Sequence, residues 1–116
     1  MYNSELKKLT TYNLKEIIEY VPNSVVTKTI VRKTTGKVSV IAVDSGEAIM
    51  GKISPFDNFI QIIEGTAEIV IDKKSNILKT GEGIIIPAHI SNNIKAKERL
   101  KMISTIIKSG YEALSV

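Results

Sequence analysis

The chain has 116 residues, of which 43% are hydrophobic and 24% are charged, with a net charge of +4. This length predicts a single domain over residues 1–116. The chain contains no cysteine, which excludes disulfides, thiolate metal sites and cysteine nucleophiles. Only 5% of the residues are aromatic, so bases would have no row of rings to stack on. The scattered lysines therefore indicate a solvated surface rather than a nucleic-acid partner.

The sequence carries no signal for export or membrane insertion. No apolar run has the length of a membrane-spanning helix. The first ten residues, MYNSELKKLT, contain no apolar signal core. We therefore expect a cytoplasmic protein whose partners include neither a membrane nor nucleic acid.

The only helical pattern lies within residues 1–21. Asn13 can cap a first turn, and Glu16 stands three residues later, where its side chain can return a hydrogen bond. The apolar residues Leu14, Ile17 and Ile18 then form one stripe, and Pro22 ends the helical pattern. We therefore predict a short N-terminal helix that packs on a sheet.

From residue 24 onward, short aliphatic and β-branched runs alternate with turns rich in glycine, proline, aspartate, asparagine and serine. This pattern is typical of short strands in an antiparallel sheet that closes or folds on itself. The predicted strands are 24–32, 38–43, 47–54, 58–64, 66–71, 77–79, 84–87, 91–96 and 100–107. The tail over residues 108–116 is predicted to be irregular.

Within this pattern, residues 46–96 show a specific spacing of turn residues. The frame consists of Gly46, Gly65, Gly81 and Pro87. The other positions of the pattern are Lys52, Ser54, Asn58 and Asn92. The spacing resembles the two-part signature of the cupin family, G-x5-H-x-H-x3-E-x6-G followed by G-x5-P-x-G-x2-H-x3-N. The resemblance implies an all-β fold, an antiparallel double-stranded β-helix or jelly-roll barrel, here of six to nine strands with a short N-terminal helix.

The positions at which cupins usually hold a divalent metal carry other residues in this chain. They are Lys52, Ser54, Asn58 and Asn92, where the signature has His, His, Glu and His. A lysine ammonium repels a cation, and hydroxyl and amide groups are weak ligands beside imidazole or carboxylate. We therefore expect neither a metal nor another cofactor.

The resemblance brings these four residues to one barrel mouth, together with three further residues: Asp57, Ile60 and Ile62. One interpretation is a ligand pocket, in which Lys52 pairs with a carboxylate or phosphate and the neutral side chains orient it. The other is a vestigial, water-filled mouth whose polar groups satisfy one another. The sequence favours neither, since buried polar groups need partners in both cases.

His89 is the only histidine, and it stands where the cupin signature has a glycine. One histidine without cysteine does not build a usual zinc site. A general base would need an orienting group, for which Asp57 is the candidate. A loop histidine is more commonly exposed, and an aspartate after Pro55 more commonly caps a turn. The catalytic residues are therefore unassigned.

No nucleophile elbow, phosphate loop, dinucleotide fingerprint or H-E-x-x-H motif occurs in the sequence, so it offers no independent enzyme signal. The leading hypothesis is a metal-free barrel that binds or senses a small molecule, an anion included. The first alternative is a divergent cupin enzyme, either a metal-assisted oxygenase or isomerase or a metal-independent protein like the sugar epimerases. The second is a structural, oligomerising module.

The strands carry more apolar side chains than one small barrel can bury. If Ile60 and Ile62 point into the barrel, Phe59 and Ile63 point away from it. A contiguous exposed apolar patch of several hundred Å² is a liability for a monomer, so we expect a homodimer. The alternative is that the N-terminal segment and the tail cover these side chains.

Overall fold

A computed structural model describes residues 5–51 and 53–110 of the chain. The regular structure of these residues consists of nine strands. They are β1 (Val25–Lys33), β2 (Gly36–Val43), β3 (Ala48–Gly51), β4 (Asp57–Glu64), β5 (Thr66–Ile71), β6 (Lys74–Lys79), β7 (Gly83–Ile86), β8 (Asn92–Ala96) and β9 (Leu100–Ile107). No helix in the described ranges is long and apolar enough to cross a membrane.

The strands form two facing antiparallel sheets. One sheet has the order β1-β2-β9-β4-β7 and the other β3-β8-β5-β6. From β2 to β9 the chain passes from one sheet to the other at every connection except the β5–β6 hairpin. The main core lies between the sheets and consists of eleven buried residues: Val43, Ile60, Ile62, Ala67, Ile69, Leu78, Ile86, Ile94, Ala96, Leu100 and Met102.

The strand pattern and the glycine frame predicted from the sequence are confirmed. All nine predicted strands are present, with ends that differ by at most a few residues. Gly46, Gly65 and Gly81 lie in turns with φ values of 83°, 91° and 92°. This left-handed conformation is unfavourable for residues with a Cβ, which explains glycine at these positions. His89, at the glycine position of the signature, also has a positive φ of 67°.

The two facing antiparallel sheets agree with the predicted jelly-roll architecture, but in the described residues they are not joined into one closed barrel. At the corner where β6 leads into β7, the turn backbone bonds to β4 just beyond the last residue pair of the β4–β7 ladder. Ile62 N donates to Glu82 O at 2.9 Å, and Gly81 N donates to Ile62 O at 2.8 Å. The turn is therefore held against β4 at the point where the chain crosses between the sheets.

The predicted N-terminal helix is absent from residues 5–21, where only turns form, at residues 8–9 and 14–16. Glu16 N donates to Asn13 O at 2.9 Å, and Lys15 N donates to Asn13 Oδ1 at 3.1 Å. At residues 14–16 the turn does not continue into a helix, and Lys101 Nζ donates to Lys15 O, a carbonyl that a longer helix would use. A helix of so few residues is marginal without tertiary support.

The N-terminal segment nevertheless packs on a sheet, as predicted. Its apolar side chains cover part of the outer face of the five-stranded sheet, in a second cluster built around Ile18, Val40, Ala42 and Ile103. Ile63 packs against this cluster, so its outward side chain is covered within the chain. Tyr20 anchors the segment, because its hydroxyl donates to Glu64 Oε2 at 2.6 Å. Burial, with this hydrogen bond, raises the pKa of Tyr20 above its usual range.

Candidate functional site

A cavity of about 220 Å³ lies between the two sheets. Its wall is predominantly apolar. The ten apolar side chains that line it are Ile41, Ile49, Phe56, Ile60, Ile86, Pro87, Ile90, Ile94, Met102 and Ile106. They come from both sheets and from the loops that precede β4 and follow β7, so the cavity is a continuation of the main core toward one end of the sandwich.

Four neutral polar side chains complete the wall, together with Gly51: Ser54, Asn58, Asn92 and Ser104. Asn58 and Ser104 lie on the neighbouring strands β4 and β9 of the five-stranded sheet. Ser104 Oγ donates to Asn58 Oδ1 over 2.8 Å. Ser54 and Asn92 approach from the loop after β3 and from β8. None of the described lining residues carries a charged side chain.

The absence of a side chain at Gly51 leaves space for the Asn92 carboxamide. The two residues are opposite each other in the β3–β8 ladder. A Cβ atom at Gly51 would overlap Asn92 Oδ1 and the Asn92 carbonyl oxygen. The glycine is therefore needed for the close approach of β8 and for the position of the amide at the cavity wall.

Hydrogen bonds join the two loops that contribute to the wall. Ser54 O accepts from His89 N at 2.6 Å, and Asp57 Oδ1 accepts from Ala88 N at 2.8 Å. Within the first loop, Ser54 Oγ accepts from Phe56 N at 3.1 Å. The loops therefore support each other, and Asp57 acts as a cap for the second loop.

The structure brings some of the residues predicted from the sequence to the cavity and places others elsewhere. Ser54, Asn58, Asn92 and Ile60 line it. The remaining four do not belong to this described wall. Ile62 is 1% exposed in the core, Asp57 is exposed at the start of β4, and His89 is exposed in the loop between β7 and β8. Lys52 is outside the described residues.

Sequence reasoning missed Ser104, which lies on the inner face of β9 beside Asn58. It also missed Ser39, which stands opposite Ser104 in the β2–β9 ladder and is 2% exposed. The Ser39 hydroxyl is a buried side-chain group without a hydrogen-bond partner in the described part of the chain. A usable signal was present, since each serine interrupts an otherwise aliphatic strand at an inward position.

The described residues at this site do not fit a resident metal ion. They offer a hydroxyl from Ser54 and amides from Asn58 and Asn92, which are weak neutral donors. Over residues 5–51 and 53–110, no group of three or more histidine, cysteine, aspartate or glutamate side chains could hold an ion.

Comparison with known proteins identifies the fold. No family model matches the sequence, and no curated protein matches it. A conserved protein of unknown function from Streptococcus pyogenes superposes with a TM-score of 0.86 at 24% identity, over 95% of this chain and 96% of its own. A cupin superfamily protein from Desulfitobacterium hafniense gives 0.85 at 22% identity, over 94% and 100%.

A cupin 2 conserved barrel domain protein from Leptotrichia buccalis has a TM-score of 0.80 at 28% identity. This match covers 84% of the present chain and 47% of the other, which is a longer protein. The likenesses confirm the fold that the frame of glycines and a proline predicted.

Proposed function

We propose that this chain, which has the cupin fold, is a metal-free binding protein whose cavity between the sheets holds a small molecule. The observation that carries the proposal is the composition of the cavity wall, in which ten apolar side chains surround four neutral polar ones. Binding sites for small molecules commonly combine an apolar wall with a few polar groups that fix orientation.

The wall favours an organic ligand over a water-filled vestige. About seven waters would fill 220 Å³ at roughly 30 Å³ each. Each buried water needs two to four polar partners, whereas most of this wall offers none. An organic molecule with an apolar body would fill the same space without needing a polar partner on every side.

The same wall favours binding over catalysis. Its described residues include no imidazole, carboxylate or amine that could exchange a proton near neutral pH. The two candidates from the sequence, His89 and Asp57, are exposed and lie outside the wall. The divergent-enzyme alternative therefore has no acid or base among the described residues at the cavity.

A comparison of the parent protein with a ligand-restored variant tests the metal-free part of the proposal. The variant combines Ser54→His, Asn58→Glu and Asn92→His, which returns imidazole and carboxylate to three signature positions. After dialysis against Mn²⁺, Ni²⁺ or Zn²⁺, elemental analysis should give about one ion per variant chain and less than a tenth of that for the parent. Imidazole and carboxylate bind these ions far more strongly than hydroxyl and amide groups.

Two outcomes of that comparison are decisive. A parent protein that retains one ion per chain, and loses it on Asn58→Ala or Asn92→Ala, contradicts the metal-free proposal. An ion retained equally after both substitutions is bound elsewhere on the chain and leaves the cavity proposal intact.

We also propose that two copies of the chain associate through the outer face of the five-stranded sheet. One row of aligned residues crosses all five strands on this face: Val31, Val38, Thr105, Phe59 and Ile85. Phe59 is 41% exposed and Ile85 62% exposed, and the adjacent Ile107 is also exposed. With strands about 4.8 Å apart, the row is roughly 19 Å long.

The charges at the two ends of this row favour a second copy as its partner. Lys33 follows Val31 on the same face at the β1 end, and Asp57 precedes Phe59 toward the β7 end. A two-fold axis parallel to the strands places the β1 end of one copy opposite the β4–β7 end of the other. The arrangement therefore pairs the apolar rows and sets Lys33 near the partner's acidic end.

A further inference from the structure

We infer that the cavity selects a neutral molecule that combines a hydrogen-bond-accepting oxygen, such as a ketone or amide carbonyl, with a compact apolar body. The inference rests on the proposed binding function and specifies the ligand class. It follows from the direction of one hydrogen bond, from the absence of charge among the described lining residues and from the cavity size.

In the hydrogen bond between Ser104 and Asn58, the serine hydroxyl is the donor. Asn58 Oδ1 is an acceptor, so the Ser104 hydroxyl must donate its proton to it. The oxygen of the Asn58 carboxamide is therefore occupied by a hydrogen bond within the sheet. Its Nδ2 group, with two N–H donors, bonds to none of the described residues and is left to the cavity that Asn58 lines.

A second donor comes from the loop before β4. Ser54 Oγ accepts a hydrogen bond from Phe56 N, which leaves the hydroxyl proton of Ser54 to donate. Asn92 supplies another carboxamide to the same wall. The cavity thus presents at least two donors to its occupant, and an occupant with an acceptor oxygen satisfies them.

Ser39 is a further polar side chain near this hydrogen bond. It is opposite Ser104 in the ladder, on the inner face, and is almost fully buried. Its hydroxyl has no hydrogen-bond partner among the described residues, so the orientation of the Asn58 amide rests on the Ser104–Asn58 bond alone.

The described wall also argues against a charged ligand. A carboxylate or ammonium group moved from water into an apolar site needs a compensating charge, and no described lining side chain supplies one. The cavity, at about 220 Å³, is larger than the roughly 150 Å³ cavity that accepts benzene. A six-membered ring with a small polar substituent therefore has a suitable size.

Three probes with the same ring test the inference: cyclohexanone, cyclohexanecarboxylate and cyclohexylammonium. Binding is measured by titration of the chelator-treated protein, with isoleucine methyl groups as the nuclear magnetic resonance signal. The methyl groups of Ile41, Ile60 and Ile106 report on the cavity. Those of Ile18 and Ile103 in the outer cluster serve as internal controls. We expect cyclohexanone to bind at least tenfold more tightly than either ion.

Two substitutions test the roles of the polar side chains. Asn58→Leu keeps the approximate side-chain size and removes the donors, so it should weaken cyclohexanone binding by about tenfold. Ser104→Ala releases the Asn58 amide to rotate, so it should reduce the preference for the ketone over the carboxylate. A general loosening of the cavity would weaken the binding of both probes alike and would leave this ratio of affinities unchanged. Ile77→Leu is the control, because Ile77 is at an exposed position of β6, and it should leave both affinities unchanged.

The outcomes separate this inference from the proposed function. Shifts of the cavity methyl groups with cyclohexanecarboxylate at lower concentrations than with cyclohexanone would overturn the neutral ligand class while supporting a binding cavity. Loss of that carboxylate binding in Lys52→Met would assign the anion to Lys52. No cavity shifts with any probe, or equal shifts in the outer cluster, would contradict both proposals.

Discussion

Replacement of Gly65 by alanine is expected to cost at least about 3 kcal/mol of folding free energy, or to prevent folding. Gly65 joins β4 to β5 with a φ of 91°, a conformation that residues with a Cβ rarely adopt. The new Cβ would also overlap the backbone carbonyl oxygen of Arg99, which has no freedom to move away because β9 starts at the next residue. Urea unfolding followed by circular dichroism measures the change.

Gly81→Ala is the matched control for that variant. Its φ of 92° is nearly the same, but no atom lies within 4 Å of an added Cβ. The control should therefore show only the conformational cost, about 1 kcal/mol. If the two variants were destabilised equally, the close contact between the β4–β5 turn and the start of β9 would be wrong.

Replacement of Phe59 by lysine is expected to dissociate the proposed dimer. Phe59 is the largest side chain of the row and is 41% exposed, so lysine at this position would place a charge within the interface. Sedimentation velocity at micromolar concentrations should show a dimer for the parent and a monomer for the variant. The expected loss of affinity is at least about 100-fold.

Met50→Lys is the control for this experiment, since Met50 is 71% exposed and lies on β3 of the other sheet. It should leave the dimer intact. A parent protein with the mass of one chain over a wide range of concentrations would reject the dimer. A Phe59→Lys variant that remains dimeric while keeping its folded circular dichroism spectrum would reject this sheet face as the interface.

The strands and turns could be predicted from the sequence because their determinants are local. A two-residue apolar period sets Ile60 and Ile62 into the core and Phe59 onto the surface, as the structure confirms. Gly46, Gly65 and Gly81 occupy positions of positive φ for a reason that involves only the backbone. The spacing between these glycines then identified the fold.

The N-terminal segment and the sheet edges could not be predicted in this way, because distant residues determine them. Asn13 does cap a turn, but the side chain of Lys101 binds the Lys15 carbonyl from 86 residues away. Likewise, the corner between β6 and β7 depends on hydrogen bonds of the Gly81 and Glu82 backbone with Ile62, about twenty residues earlier in the chain. Neither contact leaves a periodic trace in the sequence.

The candidate site was predicted in part. The resemblance placed Ser54, Asn58 and Asn92 together, and all three line the cavity. The resemblance contains no position for Ser104, whose role depends on the pairing of β9 with β4. Strand order is not a local property, so the partner that directs the Asn58 amide became visible only in the folded chain.

A crystal structure of the chelator-treated protein grown with cyclohexanone would test the central claim most directly. Metal-free binding in the cavity predicts the ring among Ile41, Ile60 and Ile106, with its oxygen about 3 Å from Asn58 Nδ2. A metal ion bound beside Asn58 and Asn92, or a ring bound only outside the cavity, would contradict the account.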